Sequence, residues 1–217
     1  CLGQEEFEPL ESLLIEATEF LKRTNLSLPP RLSWRRPDFE SWPDFIGHIR
    51  NYKVEEGRAL CSYQDQLYGK RVREGKREGV FDDSLVEASL EILTNQEKWS
   101  HEEEFDSVMC VPSLNNPDLV LNFAKSIAEA LGIDFIHAIK KIKPNQPQKL
   151  KENTAYQKRN LDGIFKVEES FIRHNKSVLL IDDIVNSRWT ITVVGALLRK
   201  AGSGPVFPFV LASRGRN

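Results

Sequence analysis

Val178-Leu-Leu-Ile-Asp-Asp-Ile-Val-Asn-Ser-Arg-Trp-Thr190 is the stretch of this chain that decides its fold. The apolar run Val178 to Ile181 suits a strand buried on both faces of a parallel sheet, ending at or just before Asp182 and Asp183. Asn186, Ser187, Arg188, Trp189 and Thr190 follow as a loop rich in hydroxyl and amide groups, and a helix then runs through Val193, Ala196, Leu197 and Gly202. A further strand is expected over Val206 to Leu211. A strand end that feeds a helix N-terminus collects anions, because the first N–H groups of a helix lack intrahelical partners and its dipole is positive there. Paired carboxylates can hold the two vicinal hydroxyls of a ribose, directly or through a divalent cation, while the loop N–H groups and the Thr190 hydroxyl cradle a 5′-phosphate. The segment therefore carries parts for both halves of a ribose phosphate, with Asp182 and Asp183 as the candidate catalytic acids.

Outward from this stretch, strand and helix alternate. Ser107 to Val111 is a short β-prone run, Pro117 to Gly132 has a helical period through Leu119, Val120, Phe123, Ile127, Ala128 and Leu131, and Ile133 to Ile142 is again strand-like. A polar stretch without period runs from Lys143 to about Gly163. Toward the N-terminus the pattern changes. Phe7, Leu10, Leu14, Ala17 and Leu21 predict an amphipathic helix over Glu5 to Asn25, stopped by Pro29 and Pro30, and an irregular connector containing Trp34 and Trp42 extends to about Pro43. Ser84 with Glu87 three residues later has the pattern of a capping box for a second helix ending near Trp99. The expected organisation is a mainly helical extension over residues 1–100, packed outside the sheet, and a three-layer α/β domain with a parallel sheet over residues 101–217.

The Val178 to Thr190 segment resembles the phosphoribosyl-diphosphate loop of type I phosphoribosyltransferases, in which two acids and two hydrophobes precede Thr-Thr-Gly-x-Thr. Asn186 and Ser187 stand for the two threonines, Arg188 replaces the glycine, and Thr190 matches the closing threonine. The arginine is the main departure, since glycine tolerates positive φ and lets backbone approach a phosphate closely. Val111-Pro-Ser-Leu-Asn-Asn116 matches the family's diphosphate-binding loop in position, which implies diphosphate contacts from Pro112, Ser113, Leu114 and Asn115. Pro147 and Gln148 through Asn153, Gln157 and Asn160 to Gly163 and Phe165 resemble the flexible hood of ComF-like proteins. Taken with Val206-Phe-Pro-Phe-Val-Leu-Ala212, Glu56-Gly-Arg-Ala-Leu60 and Phe81-Asp-Asp-Ser-Leu-Val86, the chain resembles the C-terminal phosphoribosyltransferase-like region of bacterial RecQ-family ATP-dependent DNA helicases.

That resemblance implies a type I phosphoribosyltransferase-like fold, a phosphoribosyl diphosphate or nucleotide ligand, and Mg2+ held at Asp182 and Asp183 through that ligand. It also implies DNA as a partner of the parent helicase, with the domain as an accessory module in unwinding or repair. The alternative is an active Mg-dependent transferase, although the short tail after Ala212 leaves little chain for an acceptor pocket. No G-x-x-x-x-G-K-[ST] loop occurs, so these residues contain no ATP-hydrolysing motor of that type.

Composition bounds the remaining readings. The 217 residues are 40 % apolar and 29 % charged with a net charge of -2, an ordinary globular balance without a global field for nucleic acid. A local contact with DNA backbone remains open at Lys70, Arg71, Arg73, Lys76 and Arg77, although a solvated face is the favoured reading of that run. Lys140, Lys141 and Lys143 are likewise open between diphosphate contacts and a solvated strand end, and Trp189 between packing and stacking on a ligand. Cys1, Cys61 and Cys110 lack metal-ligand spacing and suit a reducing cytoplasm. No apolar run is long enough for a spanning helix, so no membrane partner is expected, and the start at Cys1 is read as a cut from a longer protein.

Overall fold

The computed structural model describes residues 24–34, 39–100, 104–113, 115–143 and 160–215. The helix expected over Glu5 to Asn25 falls almost wholly outside these residues, as do Leu114 and the hood residues 147–159. The architecture is α/β with a mostly parallel sheet. Strands β1 (Thr24–Leu28), β2 (Gly57–Ser62), β3 (Ser107–Cys110), β4 (Asp134–Phe135), β7 (Val178–Val185) and β8 (Val206–Ser213) form one sheet in the order β1-β2-β8-β7-β3-β4. All neighbours are parallel except β1, which runs antiparallel to β2 at one edge. Strands β5 (Ile139–Lys141) and β6 (Phe165–Val167) make a separate antiparallel pair.

The alternation of side chains along each strand builds two cores. Val178 and Leu180 of β7 enter a core that includes Trp34, Phe45, Trp189 and the apolar face of helix α4 (Trp189–Lys200). Leu179 and Ile181 enter the opposite core, with helices α1 (Tyr68–Glu78), α2 (Asp83–Leu93) and α3 (Pro117–Leu131). The result is three layers, as the central motif predicts.

Residues before 100 do more than flank the sheet. They supply α1 and α2, and also β1 and β2, and β2 pairs with β8 from Arg58↔Phe209 to Ser62↔Ser213. This corrects the expectation that they pack outside the sheet. The cause is packing rather than local pattern: Gly57-Arg-Ala-Leu-Cys-Ser62 has little alternation, yet Ala59, Leu60 and Cys61 are buried because β2 lies inside the sheet. Its glycine is required by close approach, since a Cβ at Gly57 would collide with the carbonyl oxygen and Cβ of Pro208.

Three local expectations are also corrected. Strand β7 continues through both acids to Val185, where Asp182, Ile184 and Val185 pair with Val210, Ala212 and Ser213 of β8. Ile133 to Ile142 is divided between β4 and β5, which belong to different sheets. Helix α2 is preceded by Asp82 as its N-cap, without a side-chain capping bond to backbone; Ser84 donates to the Asp82 carboxylate, so no capping box forms, and the helix ends at Leu93.

Candidate functional site

The sheet order places the site before any side chain is considered. From β3 the chain moves outward through α3 to β4, and from β7 it moves outward the other way through α4 to β8. Helix α3 packs in one core and α4 in the other, so the chain leaves β3 and β7 toward opposite faces. A crevice opens outside the carboxyl ends of two strands where the order reverses in this way. Cys110 of β3 stands beside Ile181 of β7, and Val111 N–H donates to Ile181 O at 2.9 Å, which brings Pro112 and Ser113, the start of a turn that Asn116 closes, toward the Asp182 end of β7. Ser113 Oγ accepts from Asn116 N–H at 3.4 Å within that turn, while Pro112 is half-buried and Asn115 exposed.

An open cleft of about 130 Å3 lies at the end of β7, lined by Asp182 and the run Asn186 to Thr190, with Asn160 and Leu161 across from them. The loop spans only Asn186, Ser187 and Arg188 before α4 begins at Trp189, one residue before Thr190. Arg188 sits at φ 63°, so the arginine itself adopts the left-handed conformation that glycine favours, and the loop keeps its sharp entry into the helix. Its side chain is tied to the β1 side of the loop, with Nη1 donating to Pro29 O at 2.9 Å. No side chain caps α4, and its first turn presents the N–H groups of Trp189 and Thr190 at the cleft end.

The loop is clasped from behind by a residue the sequence reading did not single out. Arg31 donates from Nε and Nη2 to Ser187 O at 2.8 and 2.6 Å, and its guanidinium lies 3.9 Å from the centre of the Trp189 ring. Trp189 is buried and stacks near Trp34, which in turn stacks on Phe45 at 4.5 Å. The Trp189 ring thus packs into the core while the residue also lines the cleft.

The two acids are held differently. Asp182 is buried, accepts the Asp183 N–H on Oδ1 at 2.8 Å, and has its carboxyl pushed up to about 8, by burial first and by the neighbouring Asp183 charge second. Asp183 accepts the Ile184 N–H on Oδ1 at 2.6 Å, and its Oδ2 lies 2.7 Å from Lys76 Nζ of α1. Half-buried Lys141 has its ammonium pushed down by burial, an effect opposed by the Asp182 charge. Cys110 is buried beside the same acid, and its thiol is pushed up to about 12, chiefly by burial and then by Asp182. It is a buried, inert thiol.

Lys76 is the one member of the basic run that reaches the acids. Lys70 lies 3.9 Å from Glu74, Arg71 3.4 Å from Asp82 and Arg77 3.4 Å from Glu78, while Arg73 donates to Tyr63 O. Lys140 pairs with Glu168 at 2.6 Å. Among the described residues no group of three or more His, Cys, Asp or Glu is gathered to hold a metal ion. At Asp182 and Asp183, Lys76 and backbone N–H groups already engage carboxylate oxygens that a directly bound Mg2+ would take.

No protein-family model matches the chain, and no curated protein matches it. Solved structures to which it is similar include adenine phosphoribosyltransferases. An adenine phosphoribosyltransferase is 19 % identical over 60 % of this chain and 72 % of its own, with a TM-score of 0.40. The adenine phosphoribosyltransferase of Leishmania tarentolae is 11 % identical over 90 % of this chain and 86 % of its own, with a TM-score of 0.41. An allosteric regulatory enzyme of purine biosynthesis is 18 % identical over 76 % of this chain and 37 % of its own, with a TM-score of 0.40. Identities and scores of this size describe a loose likeness, and the site stands on its own geometry. No helix among the described residues is long and apolar enough to cross a membrane.

Proposed function

We propose that this chain binds a ribose phosphate at the carboxyl ends of β3 and β7, as a phosphoribosyltransferase-like domain does. The observation that carries this reading is the coincidence, in one cleft at the reversal of strand order, of an uncapped helix start with a buried carboxyl group. The phosphate is received by the N–H groups and hydroxyl of the Asn186 to Thr190 turn, where the α4 dipole favours negative charge. Asp182 faces the same cleft and meets the sugar hydroxyls. Calorimetry with ribose 5-phosphate and with inorganic phosphate tests the reading: the wild type should bind both, and Asp182→Asn with Asp183→Asn should weaken the sugar phosphate while sparing phosphate. Equal binding of ribose 5-phosphate by wild type and double variant would leave the acids a purely structural role.

A second reading, an active Mg-dependent transferase using phosphoribosyl diphosphate, is favoured by the Pro112 to Asn116 turn, which starts toward the Asp182 end of β7 where a leaving diphosphate would extend. A carboxylate near the anomeric carbon would stabilise the positive charge that develops there. Release of diphosphate from phosphoribosyl diphosphate by the purified chain is the assay. The wider setting, an accessory module of a RecQ-family helicase that meets DNA through its parent, rests on the sequence resemblance. It is tested by replacing Lys70, Arg71 and Arg77 together with Ala: a DNA contact would lower affinity and flatten its salt dependence by nearly one unit of slope per lost phosphate contact. Their intramolecular partners favour an unchanged affinity.

A further inference from the structure

We infer that Lys76 is the resident counter-ion of the acidic pair, so that a ribose phosphate binds this cleft without a divalent cation at Asp182 and Asp183. The inference rests on the ribose-phosphate reading above and specifies how that site balances its charge. Of the four carboxylate oxygens, three already receive a donor: Asp182 Oδ1 from Asp183 N–H, Asp183 Oδ1 from Ile184 N–H, and Asp183 Oδ2 from Lys76. Among the described residues, Asp182 Oδ2 receives none, and Asp182 is the acid that lines the cleft. The division of labour follows: Asp183 is committed to α1, and Asp182 is left to meet a ligand.

The lysine is placed by the fold rather than by a flexible excursion. It sits in the last turn of α1, whose buried face packs Val72 beneath the sheet and whose Gly75 lies against Phe81. The Lys76 carbonyl also lies 3.5 Å from Asn116 Nδ2, tying this turn to the start of α3 and so to the β3 end of the crevice. Its side chain is 39 % exposed and that of Asp183 14 %, so the pair is screened less than a surface pair and its charge is felt in the cleft. An anionic sugar phosphate approaching two uncompensated carboxylates would be repelled. With the Lys76 ammonium 2.7 Å from Asp183 Oδ2, the charge of the pair is offset and the site accepts that anion without a metal.

The test uses calorimetry and thermal melting of the full chain, with MgCl2 or EDTA, for the wild type, Lys76→Met and Lys76→Arg. Wild-type affinity for ribose 5-phosphate should be the same in both conditions, and MgCl2 alone should not raise its melting temperature. Lys76→Met should bind ribose 5-phosphate roughly tenfold more weakly in EDTA, the scale expected for a partly buried charge partner, and should recover with MgCl2. It should also gain a Mg2+-dependent rise in melting temperature, and Lys76→Arg should behave as the wild type. Magnesium-dependent binding by the wild type, or unchanged binding by Lys76→Met, overturns this inference and leaves the ribose-phosphate site standing. No binding of ribose 5-phosphate by the wild type in either condition overturns both.

Discussion

Arg188 and Asp182 carry the local tensions of the site. A non-glycine residue at φ 63° is an uncommon backbone state, and here it is retained because the helix entry after Ser187 demands it. Arg188→Gly should therefore keep phosphate binding, with a stability change within about 1 kcal/mol, since relief of the backbone offsets loss of the bond to Pro29 O; urea titration with phosphate calorimetry measures both. Arg31→Ala should cost more, roughly 1–3 kcal/mol, because Ser187 O loses two charged donors and Trp189 its cation. An unchanged urea midpoint would show that the clasp is incidental. For Asp182, the carboxyl ionises near 3.8 when unfolded and near 8 when folded, so between those values the folded state holds a proton that the unfolded state has released. Its contribution to stability is complete below 3.8, declines as pH rises, and is lost above about 8. Asp182→Asn, a neutral isostere, should flatten the fall in melting temperature between pH 5 and pH 8 and be the more stable protein at pH 8. A parallel decline in both proteins would contradict the buried-acid account.

At the scale of elements, what the sequence discloses follows from where each signal arises. The apolar run at Val178 to Ile181 and the period of Pro117 to Gly132 are local, and β7 and α3 appear where expected, the latter stopped by Gly132 at φ 68°. The phosphate loop is legible for the same reason, being one contiguous run that enters α4 at Trp189. The extension of β7 to Val185 is decided by its ladder with β8, a partner distant from the motif's own pattern. Strand β2 escapes notice because its burial comes from sandwiching between β1 and β8. Lys76, expected only as a candidate DNA contact, and Arg31 escape notice as partners of the acids and the loop because 107 residues separate the first from Asp183 and 156 the second from Ser187, and a charged run reads locally as a solvated face. One glycine offered a clue. Gly57→Ala should destabilise by about 1–3 kcal/mol, since the added methyl meets backbone of Pro208 rather than a movable side chain; a denaturation midpoint equal to the wild type would mean that β2 and β8 are not so closely apposed.

For the whole molecule, the sheet crosses the boundary expected near residue 100 from the change in sequence pattern. Removing residues 1–100 would strip β2 from β8 and expose Phe209, Val210, Leu211 and Ala212, all fully buried, along with an unpaired strand edge. We expect the fragment 101–217 to be insoluble or unfolded, and the full chain to melt in a single transition; a soluble fragment with cooperative melting would restore two independent units. The same sheet brings the ends of β3 and β7 together and sets α1 beside them, so the candidate site is a property of the full assembly and not of the motif alone. The most direct test of that account is a crystal structure of the full chain soaked with ribose 5-phosphate. The account predicts phosphate density against the Asn186 to Thr190 turn with the sugar hydroxyls toward Asp182. Ligand bound elsewhere, or a cleft that stays empty at saturating ligand, would contradict it.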